Sequence, residues 1–194
     1  IPQLLSTPLR LSPQGVFAMQ RDFDPPTVYN WSFGVQQSLG GGIALDVAYV
    51  GNVGRHLMQR RNLNATNYGT NFLASSIDPT TRTALPINFL RPLPGYADVQ
   101  YIELASTSNY HSLQTQLNKR FSKDLTFGVS WTWSKALTLV NGNGDTVNPY
   151  VNYRVWQYGK ASFDRTHNFV ANWVYSVPKL SPKMGNNFAA KALF

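Results

Sequence analysis

Three segments of this chain largely alternate aromatic or aliphatic residues with polar or small ones. They are YNWSFGVQQ at 29–37, FGVSWTW at 127–133 and FVANWVY at 169–175. Strand side chains point to opposite faces with period two. Tyr29, Trp31, Phe33 and Val35 therefore share one face, and Asn30, Ser32, Gly34 and Gln36 the other. Phe127, Val129, Trp131 and Trp133 oppose Gly128, Ser130 and Thr132 in the same way. The pattern demands a sheet with apolar material on one side and a wet or polar space on the other. An outer-membrane barrel meets that demand, and so does a soluble β-sandwich.

Bulk composition does not decide between them. The chain has 194 residues, 43% of them hydrophobic, and a mean hydropathy of -0.25. Barrel strands carry their signal in alternation rather than in such averages. Charged residues make up only 13%, well below the usual quarter. That shortage points to a surface facing something other than water. The formal charge is +8, but the basic residues are scattered, among them Arg55, Arg60, Arg61, Lys119, Arg120, Lys123, Lys135, Arg154, Lys160 and Arg165. No dense basic helix or zinc pattern accompanies them, so anionic lipid headgroups or simply a solvated face are the expected counterpart, and nucleic acid is not. The absence of cysteine removes disulfides, thiolate chemistry and Cys-ligated zinc. No apolar run is long enough for a spanning helix, and no signal-peptide pattern opens the chain. Both ends read as cuts through a longer protein.

The expected fold is all-β, with antiparallel up-and-down strands forming part of a large transmembrane barrel. Residues 1–26, with five prolines, read as a lead-in segment, and 27–194 as the partial barrel domain. Strands are expected near 27–39, 43–51, 110–121, 125–137 and 166–177, with another starting at Phe188. A short strand at 99–105 is expected inside a long loop. The segment 110–121 has Leu113 and Leu117 at helical spacing. Strand is favoured because Leu113, Thr115 and Leu117 alternate with Ser112, Gln114 and Gln116. Connections run short at 40–42, long at 52–108, short at 122–124, long at 139–165 and short at 179–187. In an up-and-down sheet, all the short ones fall at one end and all the long ones at the other. Outer-membrane barrels have that asymmetry. Five or six strands cannot close a roomy barrel, so more strands are required.

The ordered segments resemble the barrel of Oar-like TonB-dependent receptors. The resemblance runs through YNWSFGVQQSLGGGIALDVAYVGNVGRHL (29–57), RNLN (61–64), RPLPGYADV (91–99), SNYHSLQTQLNKRFSKDLTFGVSWTWSKAL (108–137) and SFDRTHNFVANWVYSVP (162–178). It implies a place in a barrel of about 22 strands. It also implies a plug domain and a TonB box, neither visible in these residues, and hence a TonB complex as partner through regions outside this chain. The ligand stays open. A surface adhesion module or a soluble β-sandwich binding module, without transport activity, is the competing function.

Catalytic and cofactor chemistry finds little support. His56, His111 and His167 have no metal-ligand spacing and read as rim histidines. Gly51-Asn52-Val53-Gly54 lacks the phosphate-loop pattern, and GNGD at 142–145 lacks the acidic residues of a calcium loop. No nucleophile elbow is present. The expectation is a non-enzyme with no cofactor and no metal. The aromatics are more informative, because amphipathic rings collect where one side is apolar and the other wet. Tyr29, Trp31, Tyr49, Trp131, Trp133, Trp173 and Tyr175 fall on the apolar parity and are expected at the lipid interface. Lys119 and Lys135 share that parity at strand ends. Phe33, Val35, Leu45, Val47, Leu117, Phe127, Val129 and Ala171 should face lipid. Asn30, Gln36, Asp46, Gln114, Ser130, Thr132 and Asn172 should face the lumen. Tyr68, Tyr96, Tyr150, Tyr153, Trp156 and Tyr158, in the long loops, are candidates for contact with a ligand.

Overall fold

The computed structural model of the chain describes residues 13–122 and 124–177. In chain order the elements are β1 (Gln14–Met19), β2 (Thr27–Gly40), β3 (Ile43–Asn62), α1 (Ile87–Leu90), β4 (Tyr96–Ser122), β5 (Leu125–Thr138), β6 (Thr146–Val147), α2 (Tyr153–Trp156), β7 (Gly159–Lys160) and β8 (His167–Tyr175). They divide into two compact units. A strand unit holds Asn30–Asn52, Tyr110–Lys135 and Arg165–Phe194, and a loop unit holds Ile1–Tyr29, Val53–Asn109 and Ala136–Asp164.

In the strand unit the neighbours run β2, β3, β4, β5, with β8 beside β5. β5 and β8 are antiparallel, and their register places Leu125 opposite Tyr175, Phe127 opposite Trp173, Val129 opposite Ala171, Trp131 opposite Phe169 and Trp133 opposite His167. Directly opposed residues lie on one face. The intervening pairs are Thr126 with Val174, Gly128 with Asn172, Ser130 with Val170 and Thr132 with Asn168. One face is thus almost wholly apolar or aromatic, and the other is mixed and polar. β2 and β3 follow the same division. Asn52 donates its amide to Asn30, and a Cβ placed on Gly34 would sit 3.3 Å from that of Ala48. The β2–β3 turn puts Gly40, Gly41 and Gly42 at φ 82°, 60° and 77°, the left-handed region that only glycine enters freely.

No apolar side chain of the strand unit is buried among the described residues. The buried apolar residues Val99, Ala136, Leu139, Val147 and Ala161 all belong to the loop unit. Phe33 is 72% exposed and Trp173 70%. Among the described residues no second sheet packs on this apolar face, so the core of a β-sandwich is not formed there. No helix among the described residues is long and apolar enough to cross a membrane, which says nothing of strands.

The loop unit is built differently. β1 lies parallel to β4, β6 lies parallel to β3, and β7 pairs antiparallel with β5. Its interior is largely polar, with Gln59, Asn64 and Ser106 fully buried. Such groups are tolerated when hydrogen-bonded, as the Gln59 amide nitrogen and the Asn64 side chain are; Ser106 Oγ has no partner among the described residues. Gln59 donates to Glu103 at 2.7 Å, and Arg61 meets the same carboxylate at 3.0 Å. The Asn64 side chain donates to the carbonyls of Leu93, Tyr96 and Ala97 and accepts from the Leu93 N–H.

The expected strand positions hold, including strand rather than helix over 110–121, but several lengths need correction. β3 continues to Asn62 and β4 begins at Tyr96, so the long loop expected at 52–108 shrinks to 63–95. Ladder hydrogen bonds carry these extensions through sequence such as RHLMQRRN, where apolar alternation is absent. The lead-in contains β1, and the loop at 139–165 contains β6, α2 and β7. The start of a strand at Phe188, and the connector before it, lie outside the described residues.

Candidate functional site

Two features of the fold gather side chains able to contact something outside the chain. The first is the apolar face of the strand unit. Trp31 lies over Gly51, where any Cβ would overlap the indole. Its ring is 6.0 Å from that of His111, which also stacks on Tyr49 and is bonded to the Tyr49 hydroxyl at 2.7 Å. Trp131 stacks on His167 at 5.9 Å, and Trp133 stands opposite His167. Trp173 and Tyr175 lie at the far end of β8, beside Phe127 and Leu125. Aromatic rings therefore mark both ends of the β5–β8 pair, with Val129 and Ala171 between them. Tyr29, at 58% exposure, belongs to the loop unit.

The second feature is a cavity of about 290 Å³ in the loop unit. Its walls are Ala105, Thr107 and Asn109 from β4, Arg55 from β3, and Leu139, Arg154 and Tyr158 from the segment after β5. Period-two geometry puts 105, 107 and 109 on one face of β4, which is why these three line it together. Arg55 donates to the Gly54 carbonyl at 3.0 Å and to Oδ1 of Asn109 at 3.3 Å. That contact turns the Asn109 amide nitrogen toward Tyr158, to whose hydroxyl it donates. Arg154 sits on α2, where Asn152 caps its backbone N–H at 3.2 Å.

Of the six loop aromatics expected at a ligand site, Tyr158 alone lines this cavity. Tyr153 and Trp156 lie on α2, and Trp156 is 77% exposed. Tyr68 and Tyr150 pack edge-to-face at 6.0 Å, and Tyr96 opens β4. In the sequence Arg55 and Arg154 are only two of the scattered basic residues, and Thr107 and Asn109 stand in no local motif. Near the same unit's surface, Arg91 holds Asp98 at 2.8 Å, and Asn62 donates to Asp98 as well. These bonds hold the Asp98 carboxyl below the usual carboxylate range. Among the described residues, no three His, Asp or Glu side chains gather as a metal site would require.

Residues 2–194 match the family described as outer membrane beta barrel domain. The chain belongs to that family. Its antiparallel all-β fold and its outward apolar face are those of a barrel wall, and its location is the outer membrane. The crystal structure of the outer membrane transporter YddB from Escherichia coli is similar, with a TM-score of 0.50 and 13% identity. The likeness covers 82% of this chain and 19% of that one, so this barrel domain spans a minor part of that protein's length. At that identity the likeness speaks for fold alone. No curated protein matches the chain.

Proposed function

We propose that this barrel domain serves in a TonB-dependent outer-membrane receptor-transporter. The observation that carries the reading is the strand unit's exposed apolar face, bounded by aromatic rings at both ends, in a chain of the outer-membrane barrel family. Tyr49, Trp31, Trp131, Trp133, Trp173 and Tyr175, with Tyr29, sit at the lipid interface. Val129, Ala171, Phe127 and Phe33 meet the hydrocarbon. Ser130, Asn172, Asp46 and Asn30 face the lumen. β2 and β8 each pair on one side only among the described residues, and further strands close the wall beside them.

The long connections lie at the cell surface and make first contact with a ligand. Tyr68, Tyr96, Tyr150, Tyr153, Trp156 and Tyr158 are the rings available for it. Coupling to a TonB complex runs through parts of the protein other than these strands, in keeping with the Oar-like resemblance. Site-specific photo-crosslinking of the intact protein to TonB in living cells tests the transport step. A ligand-enhanced crosslink is expected. A barrel that assembles in the outer membrane but never crosslinks would sink transport and leave a surface adhesion role.

A further inference from the structure

The cavity between β3, β4 and the segment after β5 is rich in donors and poor in acceptors. Neither guanidinium lining it has a carboxylate partner among the described residues. Arg55 is half-buried and bonds only to neutral oxygens, the Gly54 carbonyl and Asn109 Oδ1. Arg154 lines the same cavity, and no Asp or Glu is among the lining residues. Ion pairing is available elsewhere in the loop unit, and what sets this cavity apart is two arginines without it on one concavity. Arg61 is paired with Glu103 and Arg91 with Asp98. Two like charges around one concavity repel, and an anion placed between them reverses the sign of that interaction.

The hydroxyls sharpen the argument. Tyr158 accepts from the Asn109 amide, so its own O–H proton is free to donate. Thr107 supplies a second hydroxyl at the wall. The donor side chains, Arg55, Arg154, Tyr158 and Thr107, come from three separate stretches of chain, and two of them are cationic. A carboxylate offers them two oxygens and one negative charge. A phosphoryl group offers three terminal oxygens and close to two negative charges, which matches two arginines and two hydroxyls better. Ala105 and Leu139 give an apolar floor, and the cavity, at about 290 Å³, has room for more than a bare ion.

We propose that this cavity is a binding site for a phosphoryl group, held by Arg55 and Arg154 with Tyr158 and Thr107 donating to its oxygens. The inference rests on the reading of these loops as the ligand-contacting part of the protein, and it gives that contact a chemical class. The phosphate comes either from a soluble phosphate ester or from a lipid headgroup.

The experiment uses the intact protein purified in detergent at low ionic strength. One arm titrates it with glycerol phosphate and with inorganic phosphate by calorimetry. The other titrates it with short-chain phosphatidylglycerol and follows bound lipid by native mass spectrometry. Saturable binding in the first arm assigns a soluble ligand, and saturable binding in the second alone assigns a lipid headgroup. In either case Arg55→Gln and Arg154→Gln each weaken binding roughly tenfold to hundredfold, the effect of losing one hydrogen bond to a charged group. Arg82→Gln, in the 63–95 loop, leaves it unchanged and so separates a built site from the chain's general positive charge. Arg154 is exposed, so its replacement leaves the fold intact even if Arg55→Gln does not. Absence of binding in both arms, or equal binding by Arg154→Gln and wild type, overturns the proposal. TonB takes no part in these titrations, so a failure here is separate from a failure of the transport reading.

Discussion

An arginine at Val129 should destabilise the barrel far more than one at its neighbour Ser130. The β5–β8 register has Val129 opposite Ala171, at the middle of a ladder that runs from Leu125–Tyr175 to Trp133–His167. Val129 is four positions from either end of that ladder. At about 3.4 Å per residue this is roughly 14 Å along the strand, or about 10 Å along the membrane normal for a tilt near 40°. The apolar band of such barrels is about 25 Å tall, so Val129 lies near its midplane. A guanidinium there costs about 2–4 kcal/mol, a roughly thirty- to several-hundred-fold change in the folding equilibrium. Ser130 is on the other, mixed face, opposite Val170 and in the row with Gly128, Thr132, Asn168 and Asn172. Arginine there should cost about 1 kcal/mol or less, because its charge reaches water. Equilibrium urea titration of the intact protein folding into phospholipid vesicles, followed by tryptophan emission, measures both. A larger loss at Ser130 than at Val129 would reverse the two faces, and equal losses would refute the membrane-wall argument.

Three further perturbations probe other parts of the molecule. Gly51→Ala should push the Trp31 indole off the backbone, cost about 1–3 kcal/mol by overpacking and shift tryptophan emission; an unchanged spectrum and midpoint would deny the contact. Asn64→Ala removes a buried side chain that bonds three carbonyls and one N–H, at about 1–3 kcal/mol for each group left unpaired, so protease cleavage within 63–95 should rise sharply; unaltered cleavage would show that other contacts hold the loop. Asp98 titrates below its ordinary 3.8 because it accepts from Arg91 and Asn62, so its contribution is present above pH 3.8 and lost as pH falls through the lower folded value. Loop cleavage by an acid-active protease should therefore rise below that pH in wild type, whereas Asp98→Asn should already be susceptible at neutral pH and change little on acidification.

The faces of the strands were legible because barrel side chains obey a period of two, and one solvent is apolar. Phe127, Val129, Trp131 and Trp133 needed no partner to reveal their common side. The lengths were not legible. In β3, the stretch from Val53 to Asn62 belongs to the loop unit, where Gln59 and Arg61 turn to Glu103 and not to an apolar layer. Alternation disappears where both faces of a strand meet polar groups, although the backbone ladder continues. The cavity was hidden for another reason. Arg55, Asn109 and Arg154 come from distant parts of the chain, and only the fold brings them to one wall. Taken singly, each reads as a scattered surface residue.

The two units also depend on different physics, which sets opposite rules for substitution. The strand unit has no fully buried apolar side chain among the described residues, so its half-buried and exposed apolar face gains little in water and most of its stabilisation comes from transfer into lipid. Polar replacements on that face should be harmful in the bilayer. The loop unit buries Gln59, Asn64, Glu103, Ser106 and Asp164 beside a few small apolar residues. The Asp164 carboxylate accepts from the Ala136 N–H at 2.6 Å and faces Lys160 at 3.2 Å. Loss of one partner in such a network strands a buried charge, which costs more than the bond itself contributed. There an apolar replacement should be harmful, and a polar one of similar shape mild. A variant series scored by position would therefore show hydrophobicity raising tolerance in Phe127, Val129 and Ala171 and lowering it in Gln59, Glu103 and Asp164. The change of rule should fall where the alternation of the sequence fades, between Tyr49 and Gln59 on β3, where the proposed lipid-facing part of the strand gives way to the polar partners of the loop unit.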